Sequence, residues 1–310
     1  MEIIAGVDEA GRGPLAGPVV AAAIVLPPVH GIEGLRDSKK LTPKKREVLF
    51  QKIQECASSI GIGIVDVQQI DRLNILKATQ LAMRKALGQL KPAPTRALID
   101  GFGLPGKIIP NKGIIGGDDK IDEIKAASII AKVTRDKIME DMNIIFPRYG
   151  FEKHKGYGTP QHMKALQEFK ASPIHRKSFT PVKQNFPTLD WIRSKRRIGE
   201  LGEQLAALHY YNMGYEIVAM NDVCSHYGEI DIITRNGDSL VFVEVKTFSK
   251  QQLGTPAQKV DQGKLSRLEK AVQYYLEKNQ PEQNVRLDVM SVYLGRGKPL
   301  FKRLKGVFLN

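Results

Sequence analysis

The sequence predicts an α/β protein of two layered domains, and three observations lead to this fold class. Short apolar runs rich in β-branched residues alternate with longer segments whose apolar residues recur at helical spacing, as expected when helices cover a sheet. The chain has 310 residues, enough for two domains that each bury a core. The composition changes near residue 190, where a proline-containing loop precedes a basic cluster. We therefore predict domains at 1–188 and 196–310, joined by a basic linker at 189–195.

The first domain is predicted to alternate strands with helices. Thr42 followed by Pro43 marks a helix start, because a capping residue precedes a proline at the first helical position. A glycine-rich loop at 116–119 precedes a segment whose small residues suit close packing on a sheet. The predicted strands lie at 2–7, 18–26, 60–67 and 97–101, and the predicted helices at 43–53, 69–90 and 122–146.

The second domain is predicted to contain a hairpin between two helices. Asn236-Gly237 separates two β-rich runs, and this dipeptide is a strong hairpin signal. Around it, apolar alternation and helical periodicity define the other elements. The predicted helices lie at 196–212 and 258–278, and the predicted strands at 216–221, 228–235, 240–247 and 286–294.

The net charge of +14 indicates a polyanionic partner such as nucleic acid, although a basic protein without such a partner gives the same count. The two cysteines, Cys56 and Cys224, are too few and too far apart for a disulfide framework or a metal site. This usage favours a reducing cytoplasm. We expect neither a signal peptide nor a membrane-spanning helix, because the apolar run 19–26 is short and ends at Pro27-Pro28.

Four carboxylates of the first domain are placed for metal binding: Asp8, Glu9, Asp100 and Asp118. Asp8 and Asp100 each follow an apolar strand, where an α/β sheet places its ligands. Adjacent residues of a regular strand face opposite ways, so Asp8 and Glu9 share a site only if the strand breaks there. Oxygen ligands suit Mg²⁺ or Mn²⁺, and two such ions can clamp the attacking and leaving oxygens of a phosphodiester. A single acid at a strand end is more often merely solvated, so only the joint pattern indicates a site.

Five motifs of the first domain occur in a fixed order. They are Asp8-Glu9-Ala10-Gly11-Arg12-Gly13, Asp37-Ser38-Lys39-Lys40-Leu41, Ala126-Ala127-Ser128-Ile129-Ile130-Ala131-Lys132-Val133-Thr134-Arg135-Asp136, His154-Lys155-Gly156-Tyr157 and His175-Arg176-Lys177-Ser178-Phe179. Over residues 2–185 this pattern resembles the ribonuclease HII family. The resemblance implies a ribonuclease H-like mixed sheet with flanking helices. It also implies endonucleolytic cleavage of RNA in RNA–DNA hybrids, and at single ribonucleotides embedded in duplex DNA, leaving 3′-hydroxyl and 5′-phosphate ends.

The resemblance further implies which acids are catalytic and bind metal. They would be Asp8, Glu9, Asp100 and Asp118. The fourth acid of the family usually follows a Lys-Gly pair, and here Gly116 replaces that lysine, so the match is Gly117-Asp118 alone. We prefer Asp118 to Asp119 for this role. Asp136 follows a helical arginine and is interpreted as a structural or solvated residue.

Substrate-binding residues also follow from the resemblance. The backbone of Gly11-Arg12-Gly13 would sense the 2′-hydroxyl, the group that distinguishes RNA from DNA. Tyr157 would pack on the sugar at the RNA–DNA junction, or else it is an aromatic residue that closes a loop. The adjacent Lys39 and Lys40 would contact phosphates, although a solvated pair is nearly as common.

In the second domain, Asp231, Glu244 and Lys246 are expected on one face of the predicted hairpin. Glu244 and Lys246 are two positions apart on one strand, so their side chains share a face, and Asp231 lies on the partner strand. An Asp, a Glu and a Lys that converge could hold a divalent ion and activate water. The same pattern occurs in hairpins with one solvated polar face. Spacing alone leaves both interpretations open.

Further residues of this domain complete a second pattern. They are Gly199-Glu200-Leu201-Gly202-Glu203, Asn221, Gly228-Glu229-Ile230-Asp231 and Phe242-Val243-Glu244-Val245-Lys246. Over residues 195–295 they resemble the YraN family, whose fold is similar to that of restriction endonucleases. The family's PD-(D/E)XK-like pattern maps onto Glu203, Asp231, Glu244 and Lys246. The resemblance implies a smaller α/β domain that is a nuclease on branched or other DNA, and the alternative is a non-catalytic DNA-binding or structural module.

Overall fold

The computed structural model describes residues 2–106, 109–194, 197–249, 262–295 and 297–307. The chain divides into two compact units, Met1–Glu140 with Tyr149–Phe186 and Asp141–Arg148 with Pro187–Asn310. Each unit contains a five-stranded sheet with flanking helices. The predicted α/β class, with a second and smaller unit, is confirmed.

The boundaries at 188 and 196 stay predictions. The predicted linker contains a helix, Leu189–Ser194, and residues 195–196 of the basic cluster lie outside the described residues. Cys56 and Cys224 are both free, as expected from their spacing. Among the helices described, none has the length and hydropathy needed to cross a membrane.

The first unit has a mixed sheet in the order β3-β2-β1-β4-β5. Strand β2 is antiparallel to both β1 and β3, whereas β4 and β5 run parallel to β1. The carboxyl ends of β1, β4 and β5 therefore meet at one edge, which is where ligands of such sheets bind. The strands are β1 Ile4–Ala10, β2 Val19–Val25, β3 Ser59–Val65, β4 Arg96–Asp100 and β5 Asn111–Ile114.

Helices cover both faces of this sheet. The unit's helices are α1 Pro43–Cys56, α2 Val67–Leu73, α3 Ile75–Leu87, α4 Asp122–Ile145, α5 Phe151–His154, α6 Pro160–Phe169 and α7 Thr180–Gln184. One face packs on α2 and α3, and the other packs on α1 and α4. A side chain at Gly63 of β3 would clash with the carbonyl oxygen of Ala82 on α3. The alternation of isoleucine and glycine in β3 is thus explained by the close approach of a helix.

Three expectations for this unit are corrected by the structure. The predicted helix at 69–90 is two helices, because Asn74 has a φ of 70° and its side chain caps α3 by accepting from Lys77 N–H. Strand β5 was not predicted, since its short sequence Asn-Lys-Gly-Ile lacks a strand pattern. Strand β1 continues through Glu9 to Ala10, paired with β2, so it does not break after Asp8, the condition that the sequence set for Asp8 and Glu9 to share a site.

The second unit has a sheet in the order β10-β9-β8-β7-β6, with β8 and β9 parallel and the other pairs antiparallel. The predicted hairpin at Asn236-Gly237 is found, with Asn236 opposite Ser239. The edge strand β10, a basic segment, was not predicted. Residues 258–261 of the second predicted helix lie outside the described residues. The elements are α8 Leu189–Ser194, α9 Ile198–Asn212, β6 Glu216–Val223, β7 Glu229–Asn236, β8 Ser239–Ser249, α10 Gln262–Asn279, β9 Asn284–Leu294 and β10 Leu300–Lys305.

Candidate active site

Three acids meet at the carboxyl edge of the first sheet. Asp8 lies on β1, Asp100 is the last residue of β4, and Asp118 lies in a 3₁₀ turn, Gly117–Asp119. One carboxylate oxygen from each lies within 4.8 Å of the others. The Asp100 carboxylate accepts from the N–H groups of Gly117 at 2.8 Å and of Asp118 at 3.4 Å. The 3₁₀ turn is thereby fixed to the end of β4, which brings Asp118 to the cluster.

The cluster is electrostatically unfavourable without a counter-charge. Burial raises the pKa of Asp8 well above its usual value, and the charges of Glu9 and Asp100 raise it further. Burial also raises the pKa of Asp118, with added repulsion from Asp100 and Asp37. Each pKa reports that the ionised carboxylate is disfavoured here. A bound cation would relieve both the desolvation and the repulsion.

The donor atoms fit a hard divalent cation. All three converging side chains offer carboxylate oxygens, the ligands that Mg²⁺ and Mn²⁺ prefer. Glu9 lies outside the set of three but close to it, since the charge of Glu9 raises the pKa of Asp8 even though β1 does not break between them. Burial raises the pKa of Glu9 against the opposing effect of Arg12, whose Nη1 donates to Glu9 Oε1 at 3.3 Å, and Asp100 raises it further.

The contacts of the two candidate lysines distinguish the role of Asp118 from that of Asp119. Lys39 and Lys40 belong to a 3₁₀ turn, Ser38–Lys40, in which the Asp37 side chain accepts from the N–H of Lys39 at 3.0 Å. Lys39 Nζ lies 3.7 Å from Asp118, whereas Lys40 Nζ lies 2.6 Å from Asp119, which is exposed. Partial burial lowers the pKa of Lys39, but Asp37 and Asp118 outweigh it and the pKa is raised. Asp118 therefore faces the acids and Asp119 faces a surface lysine.

The remaining acids of this region are paired elsewhere. Asp122 contacts Lys125 at 2.8 Å. Asp136 contacts Lys132, one turn earlier in α4, at 2.7 Å. Ser128 of α4 lies next to the cluster, because its hydroxyl lowers the pKa of Asp8 that burial raises. The same hydroxyl donates to Ser38 Oγ at 2.8 Å. Sequence reasoning missed Ser128, although it stands within one of the five motifs.

The loop that contains Gly11-Arg12-Gly13 is held by two buried arginines. Arg176 donates to the carbonyl oxygens of Gly11 at 2.6 Å and of Arg12 at 2.9 Å. Arg135 donates to Ala16 and Pro18. Gly11 has a φ of 98°, and a side chain there would clash with Arg135, so only glycine fits. Burial lowers the pKa of Arg135 to about 10 and of Arg176 to about 9, so both remain charged at neutral pH.

Tyr157 stands next to this loop with 42% of its surface exposed. A Cβ atom built on Gly13 would lie 3.6 Å from Tyr157 Cε1, an ordinary contact distance. The guanidinium carbon of Arg135 lies 5.9 Å from the centre of the tyrosine ring. The structure thus brings together the glycine loop and the tyrosine, which the sequence had only matched to separate motifs.

The four C-terminal candidates lie in the second unit at β7, β8 and α9. Asp231 accepts from the N–H of Val245 at 2.6 Å, which joins β7 to β8 beside Glu244. Lys246 Nζ lies 3.3 Å from Glu244 Oε1, and Glu244 is buried. Burial raises the pKa of Glu203, and the charge of Glu244 adds to this shift. Across the described ranges, the set of three acids whose ligand atoms lie within 4.8 Å is the one in the first unit.

A family model for Ribonuclease HII matches residues 5–182. The chain belongs to the ribonuclease HII family. Ribonuclease HII of Acetivibrio thermocellus is 56% identical over 179 residues, which are 58% of this chain and 70% of that protein. Ribonuclease HII of Geobacillus kaustophilus is 52% identical over 181 residues, 58% of this chain and 69% of that protein. Family membership supports ribonuclease activity on RNA–DNA hybrids.

The ribonuclease HII fold is also found among solved structures. The crystal structure of ribonuclease H2 from Pyrococcus horikoshii matches this chain with a TM-score of 0.51 and 28% sequence identity. The matched region covers 58% of this chain and 95% of the Pyrococcus chain. A second family model, for the uncharacterised protein family UPF0102, matches residues 202–292. This family is YraN, so both resemblances inferred from the motifs are confirmed.

Proposed function

We propose that the first unit is an endoribonuclease that cuts the RNA strand of RNA–DNA hybrids and also cuts at single ribonucleotides in duplex DNA. The observation that carries this proposal is the acid cluster of Asp8, Asp100 and Asp118. It lies at the carboxyl ends of β1 and β4, and the glycine loop that follows β1 extends from the same edge. Cleavage chemistry and ribose recognition would thus occur side by side.

Asp8, Glu9, Asp100 and Asp118 would hold two Mg²⁺ or Mn²⁺ ions. When bound, such ions stabilise the attacking and leaving oxygens of an in-line displacement at phosphorus. The carboxylates keep these positions because Asp100 is bonded to the turn that carries Asp118 and Asp8 is bonded to the N–H of Glu9 at 2.7 Å. No side chain acts as a covalent nucleophile in this proposal. Water would attack phosphorus, the P–O3′ bond would break, and the O3′ oxygen would leave as a hydroxyl, which gives 3′-hydroxyl and 5′-phosphate ends.

The Gly11-Arg12-Gly13 backbone would read the 2′-hydroxyl. The carbonyl groups of Gly11 and Arg12 point towards Arg176. In a trans peptide the N–H points opposite to the carbonyl of the same unit, so the N–H groups of Arg12 and Gly13 point away from Arg176. Tyr157 stands beside Gly13 and would pack on the sugar at the junction. Donors that face outward next to an aromatic ring suit a ribose.

Lys39 and Lys40 would contact the phosphates that flank the cut. Both belong to a turn next to the acid cluster, and the side chain of Lys39 is 78% exposed. Phosphate contacts of this kind orient a nucleic acid without reading its sequence. The net charge of +14 supports a nucleic acid partner, and the two free cysteines support a reducing cytoplasm as the compartment.

The wild-type full-length protein tests this proposal directly. We expect it to cut a DNA duplex that contains one ribonucleotide and a continuous RNA–DNA hybrid, and to leave matched all-DNA duplexes uncut at the same positions. EDTA should abolish cleavage, and Mg²⁺ or Mn²⁺ should restore it. The ends are identified by ligation and by phosphatase sensitivity. Absence of cleavage of both ribose-containing substrates, with either metal, would contradict the proposal.

For the second unit we propose a DNA nuclease centred on Glu203, Asp231, Glu244 and Lys246. The observation that favours it is the proximity of groups from three elements, since Lys246 pairs with Glu244 and the charge of Glu244 reaches Glu203. A carboxylate held beside an ammonium in a partly buried position suits activation of water near a phosphate. The rival proposal is a non-catalytic DNA-binding or structural module.

The two roles of the second unit are separated in a background that lacks the first activity. Full-length Asp118→Asn is incubated with plasmid and branched DNA in Mg²⁺ or Mn²⁺. Metal-dependent cutting that disappears on adding Glu244→Gln, but survives Glu277→Gln at an exposed position of α10, supports a nuclease. Salt-sensitive DNA binding without cutting supports a docking module instead, and absence of both supports a structural role.

A further inference from the structure

Two buried histidines form a hydrogen-bond chain whose direction can be assigned. His175 Nδ1 accepts from the backbone N–H of Ser172 at 3.0 Å, and the Ser172 hydroxyl, 2.8 Å from the same nitrogen, can donate to it as well. This nitrogen therefore carries no proton. A neutral ring then has its proton on Nε2, which lies 3.0 Å from Nε2 of His162. His175 therefore donates and His162 accepts, and the proton of the neutral His162 ring is on Nδ1.

The chain ends on the backbone of Tyr157. His162 Nδ1 lies 2.9 Å from the carbonyl oxygen of Tyr157, and the N–H of this tautomer donates to it. A third ring supports the same segment, because His154 Nδ1 accepts from Gly156 N–H at 3.2 Å and the ring stacks on His162 with centres 4.6 Å apart. The segment that presents the tyrosine is thus fixed by the interior of the unit.

The residue next to His175 holds the other recognition element. Arg176 donates to the carbonyls of Gly11 and Arg12, and its own N–H donates to Leu15 at 2.9 Å. His175 pairs with Ala16 in an isolated antiparallel bridge. Adjacent positions of one short segment therefore hold the glycine loop through Arg176 and the tyrosine segment through His175 and His162.

We propose that His175 is a positioning residue. Through His162, it holds Tyr157 at the distance from the Gly11-Arg12-Gly13 backbone that binding of one ribose requires. This inference rests on the proposed function of the first unit. His175 is buried, and its side chain reaches the Tyr157 backbone through His162. A small displacement of an aligned group can cost about 100-fold in rate, which is enough for such a buried chain to control specificity.

The chain works with neutral rings. Burial lowers the pKa of His162 to about 4 and of His175 to about 3. A second proton on His175 Nδ1 would face the N–H of Ser172, and one on His162 Nε2 would face the N–H of His175. The His162 and His154 rings add to this effect at His175, because a charge on either would oppose a second one. Both tautomers are consequently stable at neutral pH.

A double-mutant cycle in the full-length protein tests the inference. We expect His175→Leu to lower kcat/KM on a duplex with one ribonucleotide by about 10- to 100-fold. Cleavage of a continuous RNA–DNA hybrid should fall less, because most of its cleavage sites lie away from an RNA–DNA junction on which the tyrosine could pack. In a Tyr157→Ala background, His175→Leu should have no further effect on the single-ribonucleotide substrate. Additive losses would overturn the inference, because they would show that His175 does not act through the tyrosine.

Two conservative variants keep the test valid if His175→Leu folds poorly. His175→Gln retains a donor towards His162 and should recover most of the activity on the single-ribonucleotide duplex. His162→Asn retains a donor at the position of Nδ1 and should be more active than His162→Leu. Equal losses for conservative and apolar variants, in folded proteins, would contradict the inference.

Phe151→Leu is the matched control for damage to the core. Phe151 is buried and its ring lies 5.5 Å from His162 and 5.7 Å from His175, without a part in the hydrogen-bond chain. We expect it to lower thermal stability but to leave the ratio of activities on the two substrates unchanged. If the wild type itself cuts neither substrate, the proposed function fails instead of this inference.

Discussion

Asp118→Asn is expected to reduce cleavage of a duplex carrying one ribonucleotide by roughly 1,000-fold or more, since metal ligation contributes several kcal/mol to such transition states and each 1.36 kcal/mol is tenfold in rate. Asp119→Asn, one residue away, should retain most of the activity. Asp118 faces Asp100 and Asp8 in the cluster, whereas Asp119 pairs with the exposed Lys40. The measurement is single-turnover cleavage by full-length protein at saturating Mn²⁺.

A second readout separates loss of metal from loss of substrate. Mn²⁺ should raise the unfolding temperature of the wild type and of Asp119→Asn by mass action, and it should raise that of Asp118→Asn much less. Full activity in Asp118→Asn would remove this residue from the site. If only Asp119→Asn lost its activity severely, Asp119 would be the fourth acid instead of Asp118. In the sequence, the choice of Asp118 rested on the match of Gly117-Asp118 alone.

The sequence was sufficient for features set by local patterns. Strand β2 has the sequence Val-Val-Ala-Ala-Ala-Ile-Val and is buried throughout, so its hydrophobicity alone identified it. Asp100 was found because a carboxylate that ends such a strand must lie at the sheet edge. The helix start at Thr42-Pro43 was likewise predicted, and Thr42 does accept from Lys45 N–H.

Features set by distant partners could not be predicted. Arg135 and Arg176 donate to carbonyls 117 and 165 positions away, so nothing near them in sequence indicates that these charges are buried. The same holds for the contact of His162 with His175, which depends on how α6 packs against a later loop. Their presence in the family motifs was the available signal, but a motif does not say what each member touches.

Two edge strands, β5 and β10, were missed because pairing, rather than composition, creates them. Strand β10 has the sequence Leu-Phe-Lys-Arg-Leu-Lys, in which half of the residues are basic. Charged side chains on an edge strand discourage pairing with another molecule. The unbroken strand at Asp8 and Glu9 has a related cause. Backbone pairing of both residues with Ala22 and Ala21 on β2 outweighs the tendency of the following glycines to end the strand.

Asp8→Asn is expected to stabilise the metal-free protein while it abolishes cleavage. Burial, together with the charges of Glu9 and Asp100, raises the pKa of Asp8, so the ionised carboxylate lowers the free energy of unfolding. Asparagine has the same shape and keeps an oxygen that accepts from Glu9 N–H, but it carries no charge. Removing the penalty should add roughly 1 kcal/mol, about 2–4 °C in the unfolding temperature of a domain the size of the first unit.

The sign of the pH dependence follows from the raised pKa. Between the ordinary pKa of an aspartate, about 3.9, and the raised value in the fold, the native state binds more protons than the unfolded state. The penalty at Asp8 is therefore complete above the raised pKa and disappears as the pH falls towards the ordinary value. Calorimetry in EDTA should show the advantage of Asp8→Asn at neutral pH and its loss in acid.

Asp119→Asn is the control with the opposite sign. The hydrogen bond from Lys40 lowers the pKa of Asp119, so its ionised form favours the fold and its replacement should reduce stability at neutral pH. Adding Mn²⁺ should then reverse the order of wild type and Asp8→Asn, because only the wild type gains binding energy from the complete set of acids. A metal-free Asp8→Asn protein less stable than the wild type at neutral pH would show that these carboxylates are not held in repulsion, and that a cation is not what the cluster is built to receive.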